Sequence, residues 1–176
     1  MAGDKGKGDT SGDTIAVAPD VYFGPIHVNN VGQLRRLQET ILPVRYKDSF
    51  YTDVVEYSNK GIAKLAYFKD VMVGAACCRL EERDGKVMLY VMTLAVLPAY
   101  RGRSIGSKLL DFMIEKAKEL GAAGIFLHVW TENKEGIEFY RKKFDFEEKE
   151  TIEGYYKRLD PPNCLILEKI FPTAEE

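Results

Sequence analysis

The stretch Tyr100-Arg-Gly-Arg-Ser-Ile-Gly-Ser107 has the makings of an anion site. It lies between an apolar, strand-like run and the start of an amphipathic helical pattern. The first backbone N–H groups of a helix have no partner within it, and the helix dipole adds partial positive charge there. An anion therefore belongs at that position. Glycines let the backbone approach a diphosphate closely, and Arg101 and Arg103 can add charge-assisted bonds. Two better-known phosphate motifs do not fit. Gly102 to Lys108 is one residue short of Gly-x-x-x-x-Gly-Lys-Ser/Thr, and its Ser precedes its Lys; Gly-x-Gly-x-x-Gly is absent.

The second chemical candidate is an imidazole. The chain has two histidines, His27 and His128. His27 sits in a segment without other reactive side chains and reads as structural or exposed. His128 lies on the strand-like run Gly124–Trp130, and an unperturbed pKa of about 6.5 suits a general base near neutral pH. A core histidine with both nitrogens hydrogen-bonded is the competing reading.

Positioning these groups requires a definite order of elements. A strand candidate near Ile26 precedes a helix with apolar positions Val31, Leu34, Leu37 and Ile41, capped by Asn29 or Asn30 and ended by Pro43. A shorter helix covers Phe50 to Tyr57. Three strands follow: Ile62–Phe68, Val71–Leu80 and Val87–Val96, the last two joined by the hairpin signal Asp84-Gly85. Ile105, Leu109, Met113, Ala117 and Leu120 share one helical face, and Gly121 can cap that helix. Gly124–Trp130 is then a strand, Lys134–Lys143 a helix, and Phe144–Thr151 and Cys164–Phe171 two more strands. This order predicts an α+β fold, a mixed and mostly antiparallel sheet with helices on both sides. Val87 to Trp130 forms a parallel strand–helix–strand crossover in that arrangement. No internal repeat is visible.

Composition bounds the rest. At 176 residues and 45% hydrophobic the chain fits one domain with a sizeable core. Lys and Arg total 25 against 27 Asp and Glu, a net charge of -2, which gives no footprint for direct nucleic-acid or membrane binding. Cys77, Cys78 and Cys164 are odd in number, and strand neighbours point to opposite faces, so a reduced, cytoplasmic setting is expected. No run approaches a membrane span, and no secretory signal is read at the start. Residues 1–22 are Gly-, Asp- and Lys-rich and read as a disordered tail, with the domain at 23–176. No cluster suggests a metal.

The loop, in this strand and helix order, resembles the Arg/Gln-x-x-Gly-x-Gly/Ala signature of the Gcn5-related N-acetyltransferases. Further segments narrow the resemblance: Leu-Pro-Val-Arg-Tyr (42–46), Leu-Ala-Tyr-Phe (65–68), Leu-Tyr-Val-Met-Thr-Leu (89–94), Phe-Leu-His-Val (126–129) and Tyr-Tyr-Lys-Arg (155–158). Together they look like the catalytic subunits of the N-terminal acetyltransferase E group. The resemblance implies acetyl-CoA as cosubstrate and transfer to the α-amine of proteins that retain Met, especially Met followed by a hydrophobic residue. It also implies association with the ribosome-bound N-terminal acetyltransferase A complex through its large auxiliary subunit.

What the resemblance implies extends to individual residues. Tyr90 and His128 are its catalytic pair, with His128 accepting the amine proton and Tyr90 holding an ordered water or the amine. Leu94, Ala95, Val96, Arg101, Gly102, Arg103, Ser104, Ile105, Gly106, Ser107, Asn133 and Tyr140 are its cofactor-binding set. Backbone N–H groups around Met92 to Leu94 would stabilise the oxyanion. Asn133 can equally cap the following helix, and Tyr140 can face the core. Leu42, Pro43, Val44, Tyr46, Met92, Tyr155 and Tyr156 form the expected peptide site, in which an apolar first side chain needs an apolar pocket.

Departures from the family pattern are few. Ser104 stands where the first motif Gly is usual, Leu42 where Phe is frequent, and Trp130 where a polar residue is usual. Phe139–Phe146 is one residue longer than the common form, with Asp145 in place of Gly. Two other functions fit the same residues: acetylation of lysine or small amines, and an acetyl-CoA-binding subunit with weak catalysis. Cys77 or Cys78 as a nucleophile is weaker, since direct transfer needs no covalent enzyme intermediate.

Overall fold

A computed structural model describes residues 14–173. They form a single eight-stranded sheet in the order β1-β2-β3-β4-β5-β6-β8-β7. In chain order the strands are β1 (Ile15–Ala18), β2 (Val21–Gly24), β3 (Ala63–Phe68), β4 (Val71–Arg83), β5 (Lys86–Val96), β6 (Gly124–Trp130), β7 (Glu147–Ile152) and β8 (Cys164–Ile170). The helices are α1 (Val31–Ile41), α2 (Asp48–Asn59), α3 (Ile105–Glu119) and the short α4 (Lys134–Glu138), which runs on as a π-helical turn, Phe139–Lys143. All pairings are antiparallel except β5 with β6. The expected mixed sheet with a parallel crossover is therefore the observed one.

The composition-based tail needs correction. Residues 1–13 lie outside the described residues, but β1 and the first half of β2 form a hairpin within the stretch 1–22 assigned to disorder. Pro19-Asp20 makes the turn, with Asp20 at φ 63, a conformation Asp tolerates. Val21 and Phe23, 3% and 0% exposed, then face the core. Two inward side chains are enough to anchor a short strand that composition alone overlooks. The strand expected near Ile26 thus sits earlier; Pro25, which lacks an N–H, stops the ladder. Ile26 is buried just beyond it, its N–H donating to Ser58 Oγ at 2.8 Å.

Helix ends follow local chemistry. Leu42 is extended (ψ 141), as the residue before Pro43 must be, so α1 stops at Ile41. Asn30 occupies the N-cap position of α1, yet its side-chain oxygen accepts from His27 N instead of the helix. His27 itself is exposed, as expected. α2 starts two residues earlier than its apolar pattern suggests, at Asp48, whose carboxylate suits the first turn and binds Arg35 of α1 at 2.6 Å. Asp84 and Gly85 (φ 52 and 75) form the two-residue hairpin, and cross-strand pairing carries β4 on to Arg83.

The extra residue near the C-terminus is absorbed in the π-helical turn. Phe146 N–H bonds back to Tyr140 O at 3.1 Å while Asp145 takes φ 57. A π turn is the usual way an α-helix accommodates one inserted residue. Phe144 and Phe146 consequently end the helix and pack on Phe139 and Tyr140, and β7 starts only at Glu147.

Two apolar layers sandwich the sheet. Leu34, Leu37, Tyr51 and Val54 of α1 and α2 cover one face with Leu65, Ala75 and Cys77; Ile105, Leu109, Met113 and Ala117 of α3 cover the other with Val73, Cys78, Leu89 and Leu127. Cys77 and Cys78 thus lie on opposite faces, free and buried, with burial pushing both thiols up, Cys77 to about 12. They are too basic and too enclosed for nucleophilic work.

Candidate active site

The centre of the sheet parts at a single irregularity. On β4, Cys77 faces Thr93 and the next residue, Cys78, faces Val91, so Met92 is the extra residue of a bulge in β5. Before it, Leu89 and Val91 face the α3 layer; beyond it, Leu94 and Val96 do. Met92 contributes to the opposite layer, where Thr93 Oγ1 accepts from the buried Gln38 amide of α1 at 3.0 Å. The bulge also bends β5 away from its parallel neighbour. β5 and β6 pair only over Met88–Val91 and Gly124–Leu127. Beyond these four pairs, the β6-facing backbone edge of Met92–Val96 has no strand partner among the described residues.

Three cavities follow this gap through the molecule. One of about 650 Å³ is lined by Leu94, Ala95, Val96, the loop Tyr100–Gly102, Ser104–Ser107, Asn133, Tyr140 and neighbouring residues including Glu135 and Lys143. A middle one of about 450 Å³ runs between the parted strands, past Leu42, Met92, Leu94, His128, Trp130, Asn133 and Tyr140. The outermost, about 600 Å³, is bounded by Pro43, Val44, Tyr46, Tyr90, Met92, His128, Tyr155 and Tyr156 among others. Adjacent cavities share residues, so they form one passage.

The inner end suits an anion. Ser104 sits at the N-cap of α3 in the left-handed conformation (φ 62), and no acidic residue occupies the first turn. A Cβ placed on Gly106 would meet Val96 Cγ2 and Phe139 Cζ at 3.8 and 4.0 Å, ordinary van der Waals distances, so no protein atom forces a glycine there. Arg101 lines the cavity with its Nε bonded to Val96 O at 3.0 Å. Arg103 departs from expectation: its guanidinium lies over the rings of Phe68 and Tyr100, 4.9 and 5.9 Å from their centroids, and does not line the cavity. The aromatic faces give it a local partner that competes with an anion. Asn133 caps α4, its Oδ1 accepting from Gly136 N at 3.0 Å, while also lining the passage. Tyr140 packs on Phe146 and still borders both inner cavities, so its two roles coexist. A narrow ligand with an amide-bearing arm and a phosphate end fits this combination of an unpaired strand edge and a free helix N-terminus.

Where the outer and middle cavities meet, Tyr90, on the paired part of β5, stands beside His128, one residue past the last β6 pair. Tyr90 Oη and His128 Nδ1 are 2.9 Å apart. Tyr90 also stacks on Phe126, and His128 stacks on Tyr155 with centroids 4.8 Å apart. Burial, reinforced by the neighbouring Tyr155 hydroxyl, pushes the Tyr90 phenol well above its ordinary range. Burial, with the Arg83 cation, lowers His128 below 6.5. At neutral pH both rings are therefore uncharged. Tyr46 and Tyr156 are likewise held protonated by burial, Tyr46 at about 12. The outer chamber is lined by neutral rings able to donate or accept hydrogen bonds.

The structure thus brings together Tyr90, His128, Pro43, Val44, Tyr46, Met92, Tyr155 and Tyr156, with Leu42 deeper in the passage. Trp130 lines the middle cavity and is fixed by its Nε1, which donates to Pro161 O at 2.7 Å. Sequence reasoning missed Arg79, whose guanidinium lies 5.3 Å from the Tyr90 ring centroid, and the side chains Phe50 and Leu159 of the outer wall. Arg79 is spaced two residues from Glu81 on a strand, the same-face pairing that binds them at 3.0 Å and the only hint the sequence offers. Among the described residues, no group of three or more His, Cys, Asp or Glu is placed to hold a metal ion, and no helix is long and apolar enough to cross a membrane.

Residues 31–146 match the model of the acetyltransferase (GNAT) family. N-alpha-acetyltransferase 50 of Danio rerio is 42% identical over 150 residues, 85% of this chain and 88% of its own. The probable N-acetyltransferase san of Drosophila melanogaster is 41% identical over 150 residues, 85% of this chain and 80% of its own. A solved structure of Arabidopsis thaliana Naa50 in complex with the bisubstrate analogue CoA-Ac-MVNAL superposes with a TM-score of 0.79 at 40% identity, covering 86% of this chain and 99% of that one.

Proposed function

Since the chain belongs to the acetyltransferase (GNAT) family, we propose that it transfers acetyl from acetyl-CoA to the α-amine of protein N-termini, with a preference for Met followed by a hydrophobic residue. The observation that carries this reading is the continuous passage through the parted strands, with an anion site at one end, the Tyr90–His128 pair at the middle and an aromatic chamber at the other. Acetyl-CoA supplies an activated acyl group on a thioester. The residues that would hold it are the α3 N-terminus with Arg101, Gly102 and Ser104–Ser107, and the open edge of Leu94–Val96, with Asn133 and Tyr140 alongside.

The protein's own task is to deprotonate the amine and align it. An α-amine has a pKa near 8 and is mostly protonated at neutral pH. With the ring proton on Nδ1, His128 donates to Tyr90 Oη, and Nε2 keeps a lone pair for the departing proton. The Tyr90 hydroxyl, hydrogen-bonded to that of Tyr155, can with it hold the water through which that proton travels. Its raised pKa suits the role, since a phenol that stays protonated is a donor and not a base. Val44, Met92 and the ring of Tyr46 offer apolar surface to a first Met side chain, and Tyr155 and Tyr156 offer hydroxyls to the peptide backbone. The reading extends to a cytoplasmic location, which three free buried thiols favour, and to docking on the large subunit of the N-terminal acetyltransferase A complex.

Paired assays test it. Met-Leu peptides with a free α-amine should be acetylated and the same peptides with a blocked α-amine and an internal Lys should not; equal rates on both would make this a lysine acetyltransferase. Ser104→Gly examines the anion end separately. Ser104 carries a Cβ in the left-handed region, which costs about 1 kcal/mol relative to Gly. The substitution is expected to change acetyl-CoA affinity, read by calorimetry, while leaving the ranking of peptides intact. A changed peptide ranking with constant cofactor affinity would place Ser104 at the wrong end of the passage.

A further inference from the structure

The outer chamber has a charge pattern that α-amine chemistry does not use. Its walls carry Arg45, Arg79, Lys157 and Arg158, and no Asp or Glu. In a chain of net charge -2 this is a local excess of one sign. Arg79 is neutralised by Glu81 at 3.0 Å. Among the described residues the Arg45 guanidinium bonds a backbone carbonyl, Glu39 O at 2.7 Å, and lies in no ion pair with a carboxylate. Among the described residues Lys157 and Arg158 form no ion pair, and both are exposed, with Asp160 the nearest acid along the chain. Three cations thus rim the opening through which the body of a peptide must leave once its first residue lies against Tyr90 and His128.

Resting on the peptide reading above, we infer that this rim selects peptides carrying Asp or Glu shortly beyond the second residue. An extended chain advances about 3.3 Å per residue. A chamber of about 600 Å³ holds only the first few residues of such a chain, which brings roughly the third to fifth side chains to its mouth. The substrate class is therefore an apolar start, Met and a hydrophobic residue, followed by an acidic segment. The apolar chamber reads the first part and the cationic rim reads the second. Complementary rim charges act on encounter and on partner choice more than on the chemical step.

The test uses the full chain, acetyl-CoA and two Met-Leu peptides that differ only in Glu-Glu or Lys-Lys at positions four and five. Both turnover and peptide affinity in the presence of CoA are measured. The acidic peptide is expected to have a kcat/KM about three- to ten-fold higher, the size of one or two solvent-exposed pairs. The gain should reside in KM and shrink when NaCl rises from about 0.05 M to about 0.5 M. In the double variant Lys157→Gln/Arg158→Gln the ratio should fall towards one, and Arg158→Glu should reverse it. Equal affinities and equal kcat/KM for the two peptides, or a ratio that survives in the double variant, would overturn the inference. If the acidic peptide binds more tightly but neither peptide is acetylated, the charge selection stands and the α-amine reading falls.

Discussion

His128→Ala is expected to lower kcat on a Met-Leu peptide by about 10²- to 10³-fold, the usual contribution of a positioned general base. The KM for acetyl-CoA should change little, because the imidazole lies at the junction with the outer chamber and not at the α3 end of the passage. Its pH signature follows from the environment. Burial and the Arg83 cation favour the neutral ring, so the acid limb of kcat, which reports groups in the bound complex, should fall below the ordinary imidazole value of about 6.5. The same shift bears on stability with a definite sign. The folded protein binds this proton less readily than the unfolded chain, so the contribution is complete above about pH 6.5 and is lost as pH falls through the depressed folded value. Tyr90→Phe removes the group that fixes Nδ1 at 2.9 Å and should also be severely impaired. A retained acid limb in His128→Ala would assign the base to another group.

Gly106→Asp should reduce acetyl-CoA affinity by about 100-fold or more without harming the free protein. The first-turn position favours a carboxylate through the helix dipole, by about 0.3–1 kcal/mol. The nearest protein atoms to a Cβ there are 3.8 Å away, ordinary van der Waals distance, so the Cβ itself is accommodated. The same charge then occupies the place argued to hold a diphosphate and repels it. Thermal melting of the ligand-free variant should match or exceed that of the parent, while calorimetry shows the lost affinity. A variant that binds acetyl-CoA normally would remove the α3 N-terminus from the cofactor site.

Much of this arrangement is legible in the sequence because it depends on local chemistry. Gly102 and Gly106 around a helix start, Asp84-Gly85 between apolar runs and Asp145 at a helix end each specify a backbone conformation within a few residues. The features that escaped are those that depend on what approaches from elsewhere. Gln38 draws no role from its sequence position, yet it is 1% exposed and ties α1 to the bulge through Thr93. The β1–β2 hairpin, Ile15-Ala-Val-Ala-Pro-Asp-Val-Tyr-Phe-Gly24, is itself apolar apart from Asp20, and it is overlooked only when it is averaged with the Gly-, Asp- and Lys-rich residues before it. Arg103 has the right charge and position for a phosphate, and only the placement of Phe68, from a different strand, shows where it goes. The bulge at Met92 has no local signature: Val91-Met-Thr-Leu-Ala-Val96 would continue as regular strand if only its own residues mattered.

That bulge divides the sheet into two leaves, β1 to β5 and β6 with β8 and β7, joined along four residue pairs and bridged by α3, which packs on strands of both. Mechanically the join is a hinge with its open side at the passage. A ligand arm lying between the open edges would act as a strut, tying the leaf that carries Tyr90 to the leaf that carries His128. The stiffness of the reactive pair then depends on an occupied passage, and the protein spends no strand of its own to provide it.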